Sequence, residues 1–145
     1  MIGGAVAKAR KEVELAVRIG NRPGALGQVL SILAEQGINV LAYCAYSERE
    51  QGVVLLVCED PFKAKLILKA DGFECKANTV VLVGAADHVG AAAQLGMQLG
   101  RASVDILYSY ASSAGTGQFY AVFKTADDEK AIRVIEAKAH VRAAA

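Results

Sequence analysis

The stretch VELAVRIGNRPGALGQVLSILAEQGINV, residues 13–40, sets the expected order of the structural elements. Over residues 13–19 apolar side chains alternate with polar or small ones, which is the period of a strand with one buried face. A loop over residues 20–24 ends that strand. Apolar residues then recur at the spacing of one helix face, and Gly37 can close the helix in a left-handed conformation. The stretch therefore predicts a strand, a loop and an amphipathic helix.

The residues that follow predict two more strands, a second helix and a last strand. Asp60 is a suitable N-cap, and Pro61 suits the first helical position because a proline there loses no hydrogen bond. The expected elements are, in order, a strand over 39–46, a turn over 47–52, a strand over 53–58, a helix over 61–70 and a strand over 73–77.

The sequence repeats this pattern at an offset of 66 positions without a gap. Asn21-Arg22-Pro23-Gly24-Ala25 falls on Asp87-His88-Val89-Gly90-Ala91, and the apolar run 53–57 falls on 119–123. The second half predicts strands over 80–83, 105–111 and 118–125, helices over 89–99 and 127–137, and a short final strand within 139–145.

The order βαββαβ in each half predicts an α+β protein made of two ferredoxin-like units in tandem. Each unit is expected to have a four-stranded antiparallel sheet with two helices on one face, and we assign the units to residues 11–78 and 79–145. The strands over 53–57 and 80–83 are apolar at consecutive positions, so both of their faces are expected to lie away from water. The sister unit or a second chain would cover the second face, so we expect a homodimer.

Composition narrows the classes of protein. With 54% apolar residues, the chain can build a packed core, but its apolar runs are too short to span a membrane. The N-terminus lacks the pattern of a signal peptide, so we expect a cytoplasmic protein with no membrane partner. A net charge of +1 argues against nucleic acid as a partner. The three cysteines lack zinc-site spacing, and we expect neither a metal nor a cofactor.

The first loop and the helix after it resemble the ACT domain, a ligand-binding module of allosteric enzymes in amino acid metabolism. The resemblance rests on Asn21-Arg22-Pro23-Gly24-Ala25-Leu26, followed by the helix and then by Gly37-Ile38-Asn39-Val40. In that family the first strand ends in a short loop, often with Pro-Gly, and helix one ends in a Gly-Ile-Asn-like segment. The resemblance covers nearly the whole chain and is weaker in the second half.

The resemblance implies that ligands, usually amino acids, bind near the loop between the first strand and the first helix, at an interface with a neighbouring ACT domain. Carried onto this sequence, it points to Asn21, Arg22, Pro23, Gly24, Ala25 and Leu26 in the first half, and to Asp87, His88, Val89, Gly90 and Ala91 in the second.

Elementary chemistry supports the same location. The amides and the positive dipole end of a helix N-terminus suit a carboxylate, and Gly24 and Gly90 allow a ligand close to the backbone. The ammonium group of an amino acid needs acceptors, and the two aspartates are better partners because they are charged. The nearby acceptors are Asn21, Asn39, Asp87 and Asp105.

Several of these residues also have a purely structural interpretation. Asn21 and Asp87 can cap their helices, and Asn39 and Asp105 can end the turns from helix to strand. His88 is expected to be a solvated loop residue. The second loop lacks the Pro-Gly pair, so the two loops can differ in role.

Three functions are compatible with this pattern. The first is a non-catalytic protein that binds an amino acid and regulates, because two ACT-like units account for the chain. The second is a regulatory subunit that docks on a separate enzyme of amino acid metabolism. The third, an acylphosphatase-like hydrolase, would use Arg22, but Pro23 removes an amide that a phosphate cradle needs. We find no catalytic constellation and predict a protein that is not an enzyme.

Overall fold

The computed structural model describes residues 7–144, and it describes side chains for residues 7–137. The elements are β1 (Lys8–Gly20), α1 (Ala25–Glu35), β2 (Val40–Glu48), β3 (Gln51–Cys58), α2 (Pro61–Ala70), β4 (Glu74–Ala86), α3 (Ala91–Arg101), β5 (Ile106–Ser113), β6 (Gln118–Thr125) and α4 (Asp128–Ala144). The expected α+β class and the two halves of similar element order are confirmed.

The six strands form one antiparallel sheet in the order β2-β3-β1-β4-β6-β5. The strands expected over 73–77 and 80–83 are parts of one 13-residue strand, β4, so treating them as separate elements was wrong. The reason is local: no glycine or proline stands between Glu74 and Val83 to turn the chain. The four-stranded sheet of each unit stays a prediction.

The chain divides into two compact units, one of residues 13–78 and one that joins residues 7–12 to 79–144. We call them the first and second units. The core of the first unit brings alternate residues of β1 and β3 against α1 and α2. Its fully buried members include Leu15, Val17, Val29, Leu33, Val54, Leu56, Ala64 and Leu68. Alternation along the strands places these side chains on one face of the sheet.

The second unit builds the matching core from Val81, Val83, Leu95, Leu99, Ala121, Phe123, Ala131 and Ile135. Its core also contains Ala9, which is only 8% exposed, so the N-terminal part of β1 belongs to this unit. The strand expected within 139–145 is wrong, because α4 stays helical to Ala144. Alanine-rich sequence favours helix there, and residues 8–12 supply a strand from the other end of the chain.

The offset between the halves changes from 66 to 67 positions at the second hairpin. Leu15 pairs with Leu56, whereas Val81, which is equivalent to Leu15, pairs with Phe123. The hairpin between Ser113 and Phe119 therefore holds one residue more than its counterpart in the first unit. The gapless alignment was wrong beyond this point, and such a slip exchanges the two faces of a strand.

The ends of the helices follow their sequence signals. Gly37 has a φ of 70°, and Ile38 donates its backbone N–H to the carbonyl of Leu33 over 2.9 Å, which closes α1 in a Schellman-type cap. The Asp60 side chain caps α2 by accepting from the Lys63 amide at 3.1 Å. Asp127 makes the equivalent bond at 3.0 Å in the second unit.

Both faces of β3 are buried, as the run of consecutive apolar residues predicted. Every residue from Gly52 to Cys58 is buried, and Val80, Val81 and Val83 of β4 are also buried. The edge strands differ: β2 exposes large apolar side chains, with Tyr43 at 49% and Tyr46 at 46%.

Candidate functional site

The loop between β1 and α1 is tied to the end of β2 by a side-chain hydrogen bond. Ser47 Oγ donates to Asn21 Oδ1 over 3.2 Å, and both residues are exposed. The bond joins a loop residue to a strand residue 26 positions later. The bond fixes the Asn21 side chain, and the N-cap of α1 is Gly24, which has no side-chain cap, so the interpretation of Asn21 as a helix cap is wrong.

The Arg22 side chain lies against the first turn of α1, where it contacts Gln28. Its Nη2 donates to Gln28 Oε1 over 2.6 Å, and its backbone N–H bonds to the carbonyl of Gly20 over 3.0 Å. The Arg22 side chain packs over Gly20, which has no side chain of its own. A Cβ added to Gly20 would lie 3.7 Å from Arg22 Nε. A guanidinium group therefore stands next to the helix N-terminus with its direction set by Gln28.

The N-cap of α1 is Gly24, with a φ of 86° and no side-chain cap. Pro23, which precedes it, is exposed, whereas Ala25, which follows it, is only 3% exposed. The Ala25 N–H donates to the carbonyl of Arg22 over 3.3 Å. Leu26 packs against the core of the first unit. The side chains of residues 25 and 26 face inward, so a ligand at this helix start would meet mainly backbone N–H groups, which lack intrahelical partners in a first turn.

The second loop repeats the side-chain bond with a charged acceptor. Ser113 Oγ donates to Asp87 Oδ2, and the Gly115 amide donates to Ser113 Oγ over 3.1 Å. The Asp87 backbone N–H bonds to the carbonyl of Gly117 at 3.0 Å. The N-cap of α3 is Gly90, which has no side-chain cap, so Asp87 is also not a helix cap, and its carboxylate is fixed at the position equivalent to Asn21 of the first unit.

The rest of the second loop is exposed. His88 Nδ1 lies 3.0 Å from the carbonyl oxygen of Val89, and Val89 itself is fully exposed. Gly90 is the N-cap of α3, with a φ of 89° and no side-chain cap, and Ala91 is 7% exposed. The backbone geometry matches the first loop, but an imidazole turned to the carbonyl of the next residue replaces the Arg22 guanidinium.

Asn39 and Asp105 lie at the other end of their units. Asn39 follows α1, whose 11 residues span about 16 Å, so it is far from the loop that precedes the helix. Its carbonyl accepts from the Glu59 amide at 3.0 Å, and that of Asp105 accepts from the Ala126 amide at 3.0 Å. Both residues thus help to start a strand pair, and each lies at the opposite end of the helix from the loop of its own unit.

The sequence analysis did not include the two serines that bind Asn21 and Asp87, although the repeat contains a sign of their role. Ser47 and Ser113 stand at matching positions of the repeat, and so do Gln28 and Gln94. Identical polar residues at equivalent positions of a diverged repeat indicate a shared role, and on that ground the two serines belonged among the candidate residues.

The described part of the chain gives no sign of two other kinds of site. Among residues 7–137 no three side chains of His, Cys, Asp or Glu are grouped closely enough to hold a metal ion. Within residues 7–144 no helix combines the length and the apolar composition needed to cross a membrane.

Known proteins share this arrangement. The family described as "ACT domain pair" matches residues 12–142. Protein BT0572 from Bacteroides thetaiotaomicron is 27% identical, with a TM-score of 0.82 over 90% of each chain. No curated protein matches the sequence.

Two regulatory subunits of aspartate kinase share the fold. That from Thermus thermophilus, in its ligand-free form, has a TM-score of 0.68 and 15% identity over 92% of this chain and 97% of its own. That from Thermus flavus has a TM-score of 0.65 and 16% identity over 94% and 98%. Since the family match spans nearly the whole described chain, the protein belongs to the family of ACT domain pairs.

Proposed function

We propose that the chain is a non-catalytic regulatory protein that binds an amino acid at the loops before α1 and α3. The observation that carries the proposal is the repeated arrangement at the two helix starts. In each, a glycine N-cap leaves the first turn of the helix without a side-chain cap, and a serine holds the Asn or Asp side chain of the same loop. The carboxylate of a bound amino acid would accept hydrogen bonds from the backbone amides of the helix start, and its ammonium group would donate to the side-chain oxygen of the Asn or Asp.

The loops differ in what they offer to the ligand. Arg22, oriented by Gln28, gives the first loop a second group for a carboxylate, while Asp87 gives the second loop a charged partner for an ammonium. We assign the ammonium role to Asn21 and Asp87 alone, since Asn39 and Asp105 stand about one helix length away. The proposal takes the two units as ACT-like domains of a cytoplasmic homodimer, with the start of the first domain at residue 13 in place of the expected residue 11.

A thermal-shift screen with each of the twenty amino acids tests this function. A ligand at a hundred times its Kd stabilises the folded state by about 2.7 kcal/mol, which corresponds to a Tm increase of roughly 5–10 °C for a chain of this size. We expect one amino acid, or a group of related ones, to give such a shift. If none of the twenty changes Tm at about 10 mM, which is a hundred times a Kd of about 0.1 mM, the ligand class is wrong.

A second candidate is a regulatory subunit that docks on a separate amino acid metabolic enzyme. It is supported by the likeness in fold to the two aspartate kinase regulatory subunits, each of which is almost completely covered by this chain. Pull-down from the source cell with tagged protein distinguishes the two candidates. A kinase or other metabolic enzyme recovered at equal stoichiometry favours the docked subunit, and ligand binding by the isolated chain without such an enzyme favours the free-standing protein.

An acylphosphatase-like hydrolase has less support. Its phosphate-binding arginine would have to be Arg22, whose guanidinium already donates to Gln28, and Pro23 has no amide to offer. Turnover of an acyl phosphate by the purified chain would contradict the proposed non-catalytic role.

A further inference from the structure

The edge strand β2 carries a row of side chains that begins at the loop before α1. Ser47, which donates to Asn21, lies on this strand, and alternate residues of a strand point to the same face. Ala45 and Tyr43 therefore follow Ser47 in one line, and we call Tyr43, Ala45 and Ser47 the β2 row. With a rise of about 3.4 Å per residue, the Cα of Tyr43 lies about 14 Å from that of Ser47.

The strand register shows which face of the sheet the β2 row occupies. Ala45 lies opposite Val54, and Tyr43 lies opposite Leu56. Val54 and Leu56 belong to the core that packs against α1 and α2. Because directly opposite residues of an antiparallel pair share a face, the β2 row lies on the face of the sheet that carries the helices. The row therefore runs away from the ligand loop on the side where α1 begins.

The β2 row is open to solvent along its length. Tyr43 is 49% exposed, and Ala45 and Ser47 are exposed as well. The small side chain of Ala45 leaves room between the serine at the loop and the aromatic ring at the other end. A ligand side chain that starts at the loop can therefore lie over Ala45 and reach Tyr43.

The second unit keeps the beginning of this row and changes its end. At the equivalent positions β5 places Ser113, Ala111 and Ser109. Ser109 lies opposite Phe123, a core residue of the second unit, so the face is the same. The serine at the loop and the alanine are identical in both rows, and only Tyr43 is replaced. The fold therefore does not need an aromatic residue at this position.

We propose that Tyr43 is a specificity-determining residue and that the first loop selects an amino acid with an aromatic side chain. The inference rests on the proposed function, which places the ammonium group at Asn21 and the carboxylate at the start of α1. Aromatic side chains that enter the row from its two ends can meet over Ala45 at the usual centroid separation of about 4.5–7 Å. The second loop has Ser109 in place of this ring and does not share the preference.

Isothermal titration of the chain with L-phenylalanine and with L-alanine tests the inference. The two ligands have the same carboxylate and ammonium groups and differ only in the ring. We expect L-phenylalanine to bind at least about tenfold more tightly, because ring contact adds to the burial of apolar area. Tyr43→Ser, which introduces the residue of the equivalent Ser109, should raise the Kd of L-phenylalanine about tenfold and leave that of L-alanine unchanged.

The matched control is Tyr46→Ser on the same strand. Tyr46 is 46% exposed and lies opposite Val53, so it is on the other face of the sheet, and its equivalent in the second unit is Ser112. This variant removes the same ring from β2 at nearly the same exposure. It should leave the Kd of L-phenylalanine unchanged.

The reciprocal variant Ser109→Tyr gives the second row the ring that it lacks. It should add a second tight site for L-phenylalanine, which keeps the inference testable if Tyr43→Ser does not fold. L-alanine binding as tightly as L-phenylalanine, or Tyr43→Ser and Tyr46→Ser having equal effects on Kd, would overturn the inference and leave the proposed function standing. If none of the twenty amino acids binds, both are wrong.

Discussion

Lys11 Nζ lies 2.8 Å from Glu129 Oε1, although 118 positions separate the two residues in the sequence. Lys11 belongs to the part of β1 that completes the second unit, and Glu129 is in the first turn of α4. The pair thus joins the beginning of the described chain to its last helix. Lys11 is the main reason that the pKa of the Glu129 carboxyl is lowered from its ordinary value of 4.5, with Arg133 adding to the effect.

Because of this ion pair, we expect the second unit to lose a small part of its stability as the pH falls. A carboxyl whose pKa is lowered in the folded state stabilises that state above its ordinary pKa of 4.5, and the contribution is lost as the pH falls through the lowered value. The variant Lys11→Gln should therefore lose less stability than the parent between pH 6 and pH 3. Urea unfolding at both pH values measures the difference. Equal losses in parent and variant would show that the pair contributes nothing.

A substitution in residues 8–12 of β1 should destabilise the second unit, although these residues are far in sequence from the rest of that unit. Ala9→Asp places a charge at a position that is 8% exposed inside the core of the second unit, and it should cost roughly 2–5 kcal/mol. Lys8→Asp introduces the same residue at an exposed neighbour and should cost less than about 0.5 kcal/mol. Hydrogen exchange locates the effect: the amides of β6 should exchange faster, and those of β3 should not.

The strands and helices with strong local patterns could be predicted from the sequence. The alternation over 13–19, the helix spacing after Gly24 and the Asp60-Pro61 start all depend on neighbours in the chain, and each element was found. The origin of the last strand of the second unit could not be predicted, because residues 8–12 join a unit whose other residues begin at position 79. Ala7 and Ala9 mark its inward face only weakly, since alanine has little preference for strands.

For the candidate site, too, the local features could be predicted from the sequence and the tertiary contacts could not. The position of the loops and the left-handed conformation of Gly37 follow from the local sequence. The partners of Asn21 and Asp87 cannot be predicted in this way, because Ser47 and Ser113 are brought to the loops by the edge strands β2 and β5. Without that tertiary contact, capping and ligand contact could not be distinguished, and Asn39 and Asp105 could not be placed at the far end of the helices.

The two glycines at the start of α1 should respond to alanine in opposite directions. Gly24 has a φ of 86°, so Gly24→Ala should cost about 1–2 kcal/mol through backbone strain alone, because a Cβ there meets no other atom within 4 Å. Gly27 lies inside the helix, also in open space, and Gly27→Ala should stabilise the chain by about 0.4–1 kcal/mol. Thermal or urea unfolding compares them, and effects of the same sign would mean that the conformation of Gly24 is not as described.

Exchanging the Asx residues between the loops should show which loop binds the ammonium group. Asp87→Asn gives the second loop the side chain of the first and keeps the acceptor for Ser113, while it removes the charge. If the second loop binds the amino acid, this change should weaken binding by about tenfold, or 1.4 kcal/mol, because a charged acceptor bonds an ammonium more strongly than an amide does. Asn21→Asp is the reciprocal variant and should strengthen binding at the first loop. Isothermal titration with the amino acid found in the thermal screen measures both. If neither variant changes Kd, the ammonium lies elsewhere, and the role given to Asn21 and Asp87 is wrong.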